Sequence, residues 1–590
     1  METTLQGETG HGNQGTGEPA FYTELISLLK QHTKKTLPKD KLARLKIQLC
    51  TKHRMKKIPT DIQVMLNASA DDLEQIKPIL LTKPTRSLSG VAPVAVMTKP
   101  LACPHGKCTF CPGGPGSAFG DVPQSYTGKE PSTMRAIRAE YDAYLIVMNR
   151  LEQYVVTGHV PDKVELILQG GTFPAFPDEY QEEVVTDCFQ ALNDFSTQFF
   201  SKGKIDLARF KEFFELPGNV EDEERTQRLH TKLLAIKREN KAALKQAQKT
   251  NETAKIRCVS LTVETKPDWA FLKHGNKMLE QGCTRVELGV ESLYEDVLKI
   301  THRGHTLEDT KRAIRELKDL GYKLNFHYML GLPNTTKEMD QKALQELFDN
   351  DAYKPDMMKI YPCMVLKGTP LYHIWKAGKY QPITTQEAAE LIVEAKAFIP
   401  EYCRIMRVQR DIPTYRTEAG VNRTNLRQYV EQLAKKKGIQ CRCIRCREVG
   451  RVQKKDGKKD GKISIGTMVY HPSFGKEFFI QAEDADNDIL YGFCRLRFPS
   501  QCLREEITPT SAIVRELKVF GEAASIGEDT STSKEKAQHK GLGTKLMLKA
   551  EEIAKEYNKN KILVISAIGT REYYKKLGYY LEGPYMVKEL

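Results

Sequence analysis

The chain of 590 residues has no apolar run of about 20 residues, so nothing in it reads as a membrane-crossing helix. Its first stretch, METTLQGETGHGNQGTGEP, has neither a basic start nor an apolar segment behind it, which argues against a secretory signal. Residues 1–20 are expected to be a disordered, glycine-rich lead-in. There is no internal repeat, which sets aside solenoids and propellers. Acidic residues are in deficit, 76 against 90 Lys and Arg, giving a net charge of +14. A cytoplasmic protein keeps its cysteines reduced, so clusters among the 14 present point to metal rather than to disulfides.

The length calls for about three domains. Residues 21–85 read as basic helices, with a single acidic residue between Lys34 and Thr60. Lys34, Lys35, Arg54, Lys56 and Lys57 are the candidate contacts to a polyanion, since such cations displace counterions from a phosphate backbone. From 86 to 400 short apolar strands (91–97, 164–169, 258–264, 285–290, 323–330 and 357–362) alternate with helical stretches, which predicts a parallel α/β sheet or barrel. Polar or glycine-rich residues follow these strands: the cysteine loop, GGT (170–172), TKPD (265–268), ESL (291–293) and GLPNT (331–335). Strand C-termini are where α/β barrels build their sites. Residues 201–256 read as a charged helical insertion. A connector, 401–462, carries CRCIRC, and 463–590 reads as a separate α/β domain.

The loop CPHGKCTFCPGG holds Cys103, Cys108 and Cys111 within nine positions. Three thiolates on a tight loop suit an iron–sulfur cluster or zinc. A four-iron cluster held by three residues keeps one iron open to a small molecule. Zinc needs a fourth ligand, and His105 is too close in sequence to Cys103 to complete a tetrahedron comfortably. The cluster ranks above zinc. In CRCIRC the spacing of Cys441, Cys443 and Cys446 suits a structural zinc, with Cys403 a candidate fourth ligand on proximity alone.

A cysteine triplet after the first strand and a GG turn after the second resemble the radical S-adenosylmethionine (SAM) superfamily. The spacing is Cys-x4-Cys-x2-Cys where Cys-x3-Cys-x2-Cys is common, and GGT stands in place of Gly-Gly-Glu. The resemblance implies a [4Fe-4S] cluster on the three cysteines and SAM on its open iron, with Gly170, Gly171 and Thr172 near the SAM amino group. Glu264, Lys266, Glu291 and His327, at strand ends, are further candidates to face that site.

In the last domain Gln538-His539-Lys540-Gly541-Leu542-Gly543-Thr544 leads into a helix, a setting that binds phosphate through backbone N–H groups. This turn, with the strand VRELKVFG before it, resembles the GNAT acetyltransferases, whose Q-x-x-G-x-G/A turn holds the pyrophosphate of acetyl-CoA. The likeness places Glu516, Leu517 and Val519 beside the cofactor and Tyr573 and Tyr574 near the thioester, where a phenol can protonate a leaving thiolate.

The fold class expected is therefore α/β: a partial parallel (β/α) barrel of radical SAM type, then a GNAT-like domain, with a basic helical N-terminal segment. The pairing resembles the family of the Elongator catalytic subunit, through CPHGKCTFCPGG, LQGGTFP, ETKPD, ELGVES, HYMLGLP, CRCIRCREVG, QHKGLGTKL and GTREYYKKLGYY. That implies a stand-alone archaeal or bacterial-type enzyme forming 5-carboxymethyluridine at the wobble position of tRNA. Its expected partners are the anticodon loop of tRNA, acetyl-CoA, an electron donor for the cluster and, in one admissible assembly, a second copy of the chain. Two other readings stay open: a lysine acetyltransferase with a structural cluster, using Glu516 as base, and a non-enzymatic RNA-binding scaffold.

Overall fold

Stretches rich in Val, Ile and Leu alternate with amphipathic helices through the middle of the chain. In the computed structural model, which describes residues 18–33, 36–81, 90–218, 222–456, 461–520 and 541–590, they form one seven-stranded sheet. Its strands are β1 (Ala92–Met97), β2 (Lys163–Gln169), β3 (Arg257–Thr265), β4 (Arg285–Glu291), β5 (Lys323–Leu330), β6 (Met357–Pro362) and β7 (Arg404–Arg407). They lie in sequence order and every neighbouring pair is parallel. Helical returns that always step the same way make an open barrel, whose strand C-termini share one rim. β4 and β6 are buried at every position, as strands covered on both faces must be. The first six strands agree with the sequence reading. β7 (RIMR) is four residues long and half cationic, too short for periodicity to reveal.

A second sheet has the order β8 (Ser464–Tyr470), β9 (Lys476–Asp484), β10 (Ile489–Phe498), β11 (Ser511–Val519), β12 (Lys561–Val564), β14 (Tyr585–Glu589), β13 (Tyr580–Glu582). β8 to β11 form an antiparallel meander. β12 then joins β11 in parallel, with the helix Leu542–Glu556 between them in sequence. Among the described residues no helix is long and apolar enough to cross a membrane.

The barrel and the second sheet are joined by buried charge. Arg515 of β11 pairs with Asp356, just ahead of β6, and with Glu477 of β9 at 2.8 Å. Arg497 of β10 holds Asp319 at 2.6 Å and Glu477 at 3.1 Å. Arg495 binds Glu516 at 3.0 Å and donates to the Tyr402 carbonyl at 2.6 Å. Lys318 reaches Asp356 at 3.3 Å. Four cations thus meet four carboxylates, and the side chains are all but excluded from water. Burial works against the Asp356 charge, but Arg515, Lys318 and Arg495 outweigh it and hold the carboxyl far below its ordinary range. Glu477 is held down in the same way. Burial pulls Lys318 down to about 8 despite these partners.

The N-terminal helices Glu18–Lys30, Lys39–Lys52, Asp61–Leu66 and Ala70–Leu80 pack around Phe21, Leu25, Leu29, Leu49, Val64 and Ile76. They form a compact unit with residues 149–161 and 199–232, a long-range association that sequence order does not disclose. The expected insertion at 201–256 contains the helices Leu207–Phe213, Glu223–Glu239 and Leu244–Asn251.

Breaking the buried charge network tests its weight. Asp356→Asn leaves four buried cations facing three carboxylates and should cost about 3–5 kcal/mol in denaturant unfolding, whereas Arg312→Ala, which removes an exposed pair with Glu316, should change stability by about 0.5 kcal/mol or less. Because the folded-state pKa values of Asp356 and Glu477 lie below their unfolded values, this stabilisation is present above the ordinary carboxylate range. It is lost as pH falls below that range, and the acid limb should be shallower in Asp356→Asn.

Candidate functional site

The loop after β1 carries the cysteine triplet, with Cys108 and Cys111 buried and Cys103 half-buried. Backbone turns at Gly106 (to the Cys103 carbonyl, 3.0 Å) and Cys111 (to the Cys108 carbonyl, 3.0 Å) shape it. The Thr109 N–H donates to Thr301, and its carbonyl accepts from Leu371, which pins the loop to the barrel rim. Each sulfur has a polar neighbour. Arg303 Nη1 lies 3.4 Å and His105 Nε2 3.2 Å from Cys108 Sγ. The Ser125 N–H donates to Cys111 Sγ at 3.2 Å, and Thr172 Oγ1 is 3.7 Å from Cys103 Sγ.

This donor set fits thiolates bound to metal. Burial, with Cys108 adding to it, pushes the Cys111 thiol up to about 11, a cost that a bound cationic centre would offset. The three sulfurs are not among the described groups whose ligand atoms all lie within 4.8 Å of one another, the spacing that one ion demands. A multi-iron cluster, whose ligands bind different irons, takes wider sulfurs. Gly171 (φ +112°) lines the same cradle: a Cβ there would come within 3.6 Å of Cys103 Sγ and 3.1 Å of Gln124.

The other strand ends converge unevenly. Lys266, after β3, is buried, 3.3 Å from Asp268; burial and Arg303 lower its pKa. Glu291, with φ +64°, lies 3.7 Å from Arg303. Glu264 accepts from Tyr126 Oη at 3.1 Å and from Gln169 at 3.3 Å. His327 pairs with Glu287 at 3.1 Å, and the ligand atoms of Glu264, Glu287 and His327 all fall within 4.8 Å of one another. The Lys359 ammonium is ion-paired to Glu287 and lies 3.8 Å from Glu264, and Arg285 lies 3.5 Å from Glu287. Burial opposes the Glu287 charge, but Lys359, His327 and Arg285 hold its pKa well below normal.

Sequence reasoning does not single out Glu287, Lys359, Arg303 or Tyr126. A signal exists for two of them: Glu287 and Lys359 are charges inside the otherwise apolar strands RVELGVE and MMKIYP.

Around CRCIRC, the sulfurs of Cys441, Cys443 and Cys446 do lie within 4.8 Å of one another, which fits a single ion. Cys403 is not in that group. It is fully buried, and its carbonyl accepts the Ile444 N–H at 3.0 Å. Lys396 Nζ is 3.8 Å from Cys446 Sγ.

In the second sheet β11 pairs with β12 only over Ser511–Val514; beyond it, Glu516–Val519 bond to β10 alone among the described strands. The opening beside Leu517 and Val519 faces the helix Leu542–Glu556, which starts from Gly541 at φ +84°. A Cβ on Gly543 would lie 2.8 Å from Tyr573 Oη and 3.8 Å from Val519, so a larger residue there would displace the Tyr573 hydroxyl. Tyr573, bonded to Thr544 and 38% exposed, stands at this helix start, whereas Tyr574 is buried. Glu516 is not a free base: burial opposes its charge, but Arg495 and Lys323 keep it ionised. Gln538, His539 and Lys540 lie outside the described residues, as do Lys34 and Lys35. Arg54, Lys56 and Lys57 are exposed, and among the described residues none has an ion-pair partner. Their neighbours Lys46 and Lys52 are paired, to Asp61 and Glu24.

Gly171→Ala should lower the iron bound per chain after anaerobic reconstitution at least several-fold, with circular dichroism unchanged. Gly378→Ala, at φ +71° with no atom near its Cβ, also places alanine at positive φ but without the crowding, and should load normally.

Family models match residues 20–88 (ELP3 N-terminal domain), 99–347 (Radical SAM superfamily), 355–436 (Radical_SAM C-terminal domain) and 470–579 (Acetyltransferase (GNAT) family). A tRNA uridine(34) acetyltransferase of Methanocaldococcus infernus is 44% identical over 569 residues, 95% of this chain and 98% of that one. Human Elongator complex protein 3 is 38% identical over 556 residues, 93% of each chain. The solved structure of the archaeal Methanocaldococcus infernus Elp3 with residues 1–46 deleted superposes with a TM-score of 0.68 at 41% identity, covering 85% of this chain and all of that one. The chain belongs to the family of Elongator complex protein 3 and the archaeal tRNA uridine(34) acetyltransferases.

Proposed function

We propose that this protein modifies the wobble uridine of tRNA, building 5-carboxymethyluridine from acetyl-CoA with a SAM-derived radical. The observation that carries the reading is the coexistence, in one chain, of a thiolate cradle at a barrel rim and a glycine-started helix beside a split sheet. The relatives named for uridine(34) support the substrate.

Cys103, Cys108 and Cys111 would hold the [4Fe-4S] cluster, with Gly170, Gly171 and Thr172 beside SAM. When bound, the cluster supplies the electron that cleaves SAM to a 5′-deoxyadenosyl radical able to take hydrogen from the acetyl methyl. The residues of the chain position and shield. Arg303 and the Ser125 N–H would donate to the cluster-bound sulfurs of Cys108 and Cys111. The N–H groups at Leu542–Thr544 suit the pyrophosphate of CoA, and the Tyr573 hydroxyl is placed to donate a proton to the departing thiolate. Arg54, Lys56 and Lys57 suit the tRNA backbone. Cys441, Cys443 and Cys446 suit a structural zinc. An external one-electron donor completes the turnover, and a homodimer is compatible with it. The competing lysine-acetyltransferase reading loses its base, since Glu516 is locked to Arg495.

Anaerobically reconstituted protein given SAM, reductant, acetyl-CoA and tRNA should yield 5′-deoxyadenosine and carboxymethyluridine by nucleoside mass spectrometry. Cys108→Ala should abolish both while tRNA binding stays within about twofold; if the products persist, the ligand assignment is wrong. Reversing Arg54, Lys56 and Lys57 to Glu should weaken tRNA binding and flatten its dependence on salt, by roughly one unit of log–log slope for each phosphate no longer neutralised. An unchanged slope would return this segment to a solvated face.

A further inference from the structure

One stretch rich in arginine has no part in the reading above. After β7 the chain runs RVQRDIPTYRTEAGVNRTNLRQY, over residues 407–429, across the rim of the barrel that carries the cysteine loop. It is anchored at two points. Arg410 donates to the Ser125 carbonyl, and the Ser125 N–H bonds Cys111 Sγ, so the stretch is tied directly to the cluster loop. Further on, Thr417 and Ala419 pair antiparallel with Leu366 and Val365, the segment that follows β6.

Its arginines divide into two groups. Arg407 is paired with Asp411, Arg410 donates to the Ser125 carbonyl, and Arg427 donates to backbone carbonyls of β7. Among the described residues Arg416 and Arg423 have no acidic partner, and Arg416 Nε is buried without an acceptor. Two guanidiniums without a carboxylate partner, Arg416 half-buried and Arg423 exposed, point to an anionic ligand.

Aromatic faces are interleaved with them. Tyr415 is 74% exposed, the most exposed tyrosine among the large exposed hydrophobic side chains. The Arg416 guanidinium lies 5.4 Å from the Tyr415 ring centre and 5.9 Å from that of Phe119, at the tip of the hairpin after the cluster loop. Arg423 lies 5.0 Å from the Tyr429 ring, and both line a cavity of about 430 Å³ with Thr384, Thr385 and Asn422. Ala419 and Gly420 also line that cavity, so it begins four residues from Tyr415, within about 14 Å by chain reach. Unpaired cations alternating with exposed rings, next to a nucleotide-sized polar cavity, are the features that bind unstacked single-stranded nucleic acid.

We propose that Tyr415, Arg416, Arg423 and Tyr429 form the docking platform for the single-stranded RNA loop that presents the target base, with Tyr415 as a stacking face and Arg416 and Arg423 as phosphate contacts. This rests on the reading that tRNA is the substrate. A base splayed from its loop would find a ring to stack on and a polar cavity beside it, at the rim to which the cysteine loop is pinned.

The test uses the full-length protein, an unmodified tRNA transcript and the isolated anticodon stem-loop, with binding measured at several salt concentrations. Tyr415→Ala should weaken stem-loop binding roughly 5- to 100-fold, the loss of one stacked base, and Tyr415→Phe should restore it to within about threefold. Arg416→Gln with Arg423→Gln should lower the log–log salt slope by about 1.4, or roughly 0.7 per single-strand phosphate contact. If wild-type protein binds and modifies tRNA while these variants bind the stem-loop unchanged, the platform is wrong and the function stands. If wild-type protein binds neither tRNA nor the stem-loop, both fall. If Tyr415→Phe fails like Tyr415→Ala, the hydroxyl and not the ring is what matters, and the stacking role is overturned.

Discussion

The constraint on which the catalytic half of this protein depends is the buried charge lattice between the barrel and the second sheet. Arg495, Arg497 and Arg515 project from β10 and β11 into carboxylates on two sides, Glu477 and Glu516 from their own sheet and Asp319 and Asp356 from the barrel. A lattice of this kind is not the cheapest way to stabilise an interface, because desolvating eight charges offsets most of their attraction. What it does provide is registry. A greasy interface tolerates sliding, whereas Arg515, which must reach Asp356, Glu477 and the Tyr322 carbonyl together, tolerates almost none. The proposed transfer of one acetyl group between two sites needs such a fixed relation.

That lattice also places β11 in two roles. Its first half, Ser511–Val514, is held between β10 and β12, and Arg515 locks the strand to the barrel. Its second half, Glu516–Val519, leaves β12 and opens the edge facing Gly543 and Tyr573. Strand, lock and open edge are thus three consecutive parts of one nine-residue element. In the barrel the same economy holds: β4 supplies Glu287 to the interior charge cluster, and its last residue, Glu291, sits beside Arg303 and so beside Cys108.

Much of this was legible in the sequence because it is local. The six longer barrel strands announce themselves by apolar runs, the cysteine triplet by its spacing, and the Gly541–Gly543 turn by its position ahead of a long helix. What stayed hidden depends on which strands become neighbours. Glu287 and Lys359 are 72 residues apart and meet only because β4, β5 and β6 are adjacent. Asp356 and Arg515 are 159 apart. Neither pair has a periodicity to read. Cys403, chosen for nearness in sequence, turns its carbonyl towards the cysteine cluster and is not among its sulfurs. Gln538, His539 and Lys540, read as the core of the CoA turn, lie outside the described residues, and so do Lys34 and Lys35.

The central claim is that one acetyl group links the two cofactor sites: its methyl gives a hydrogen to the SAM-derived radical, and its carbon goes to uridine. Turnover with acetyl-CoA deuterated at the methyl, SAM, reductant and tRNA tests it directly. The account predicts deuterium in 5′-deoxyadenosine and two deuteriums retained in the carboxymethyl group on uridine. Deuterium-free 5′-deoxyadenosine, or an intact trideuterated acetyl group transferred to any acceptor, would contradict it.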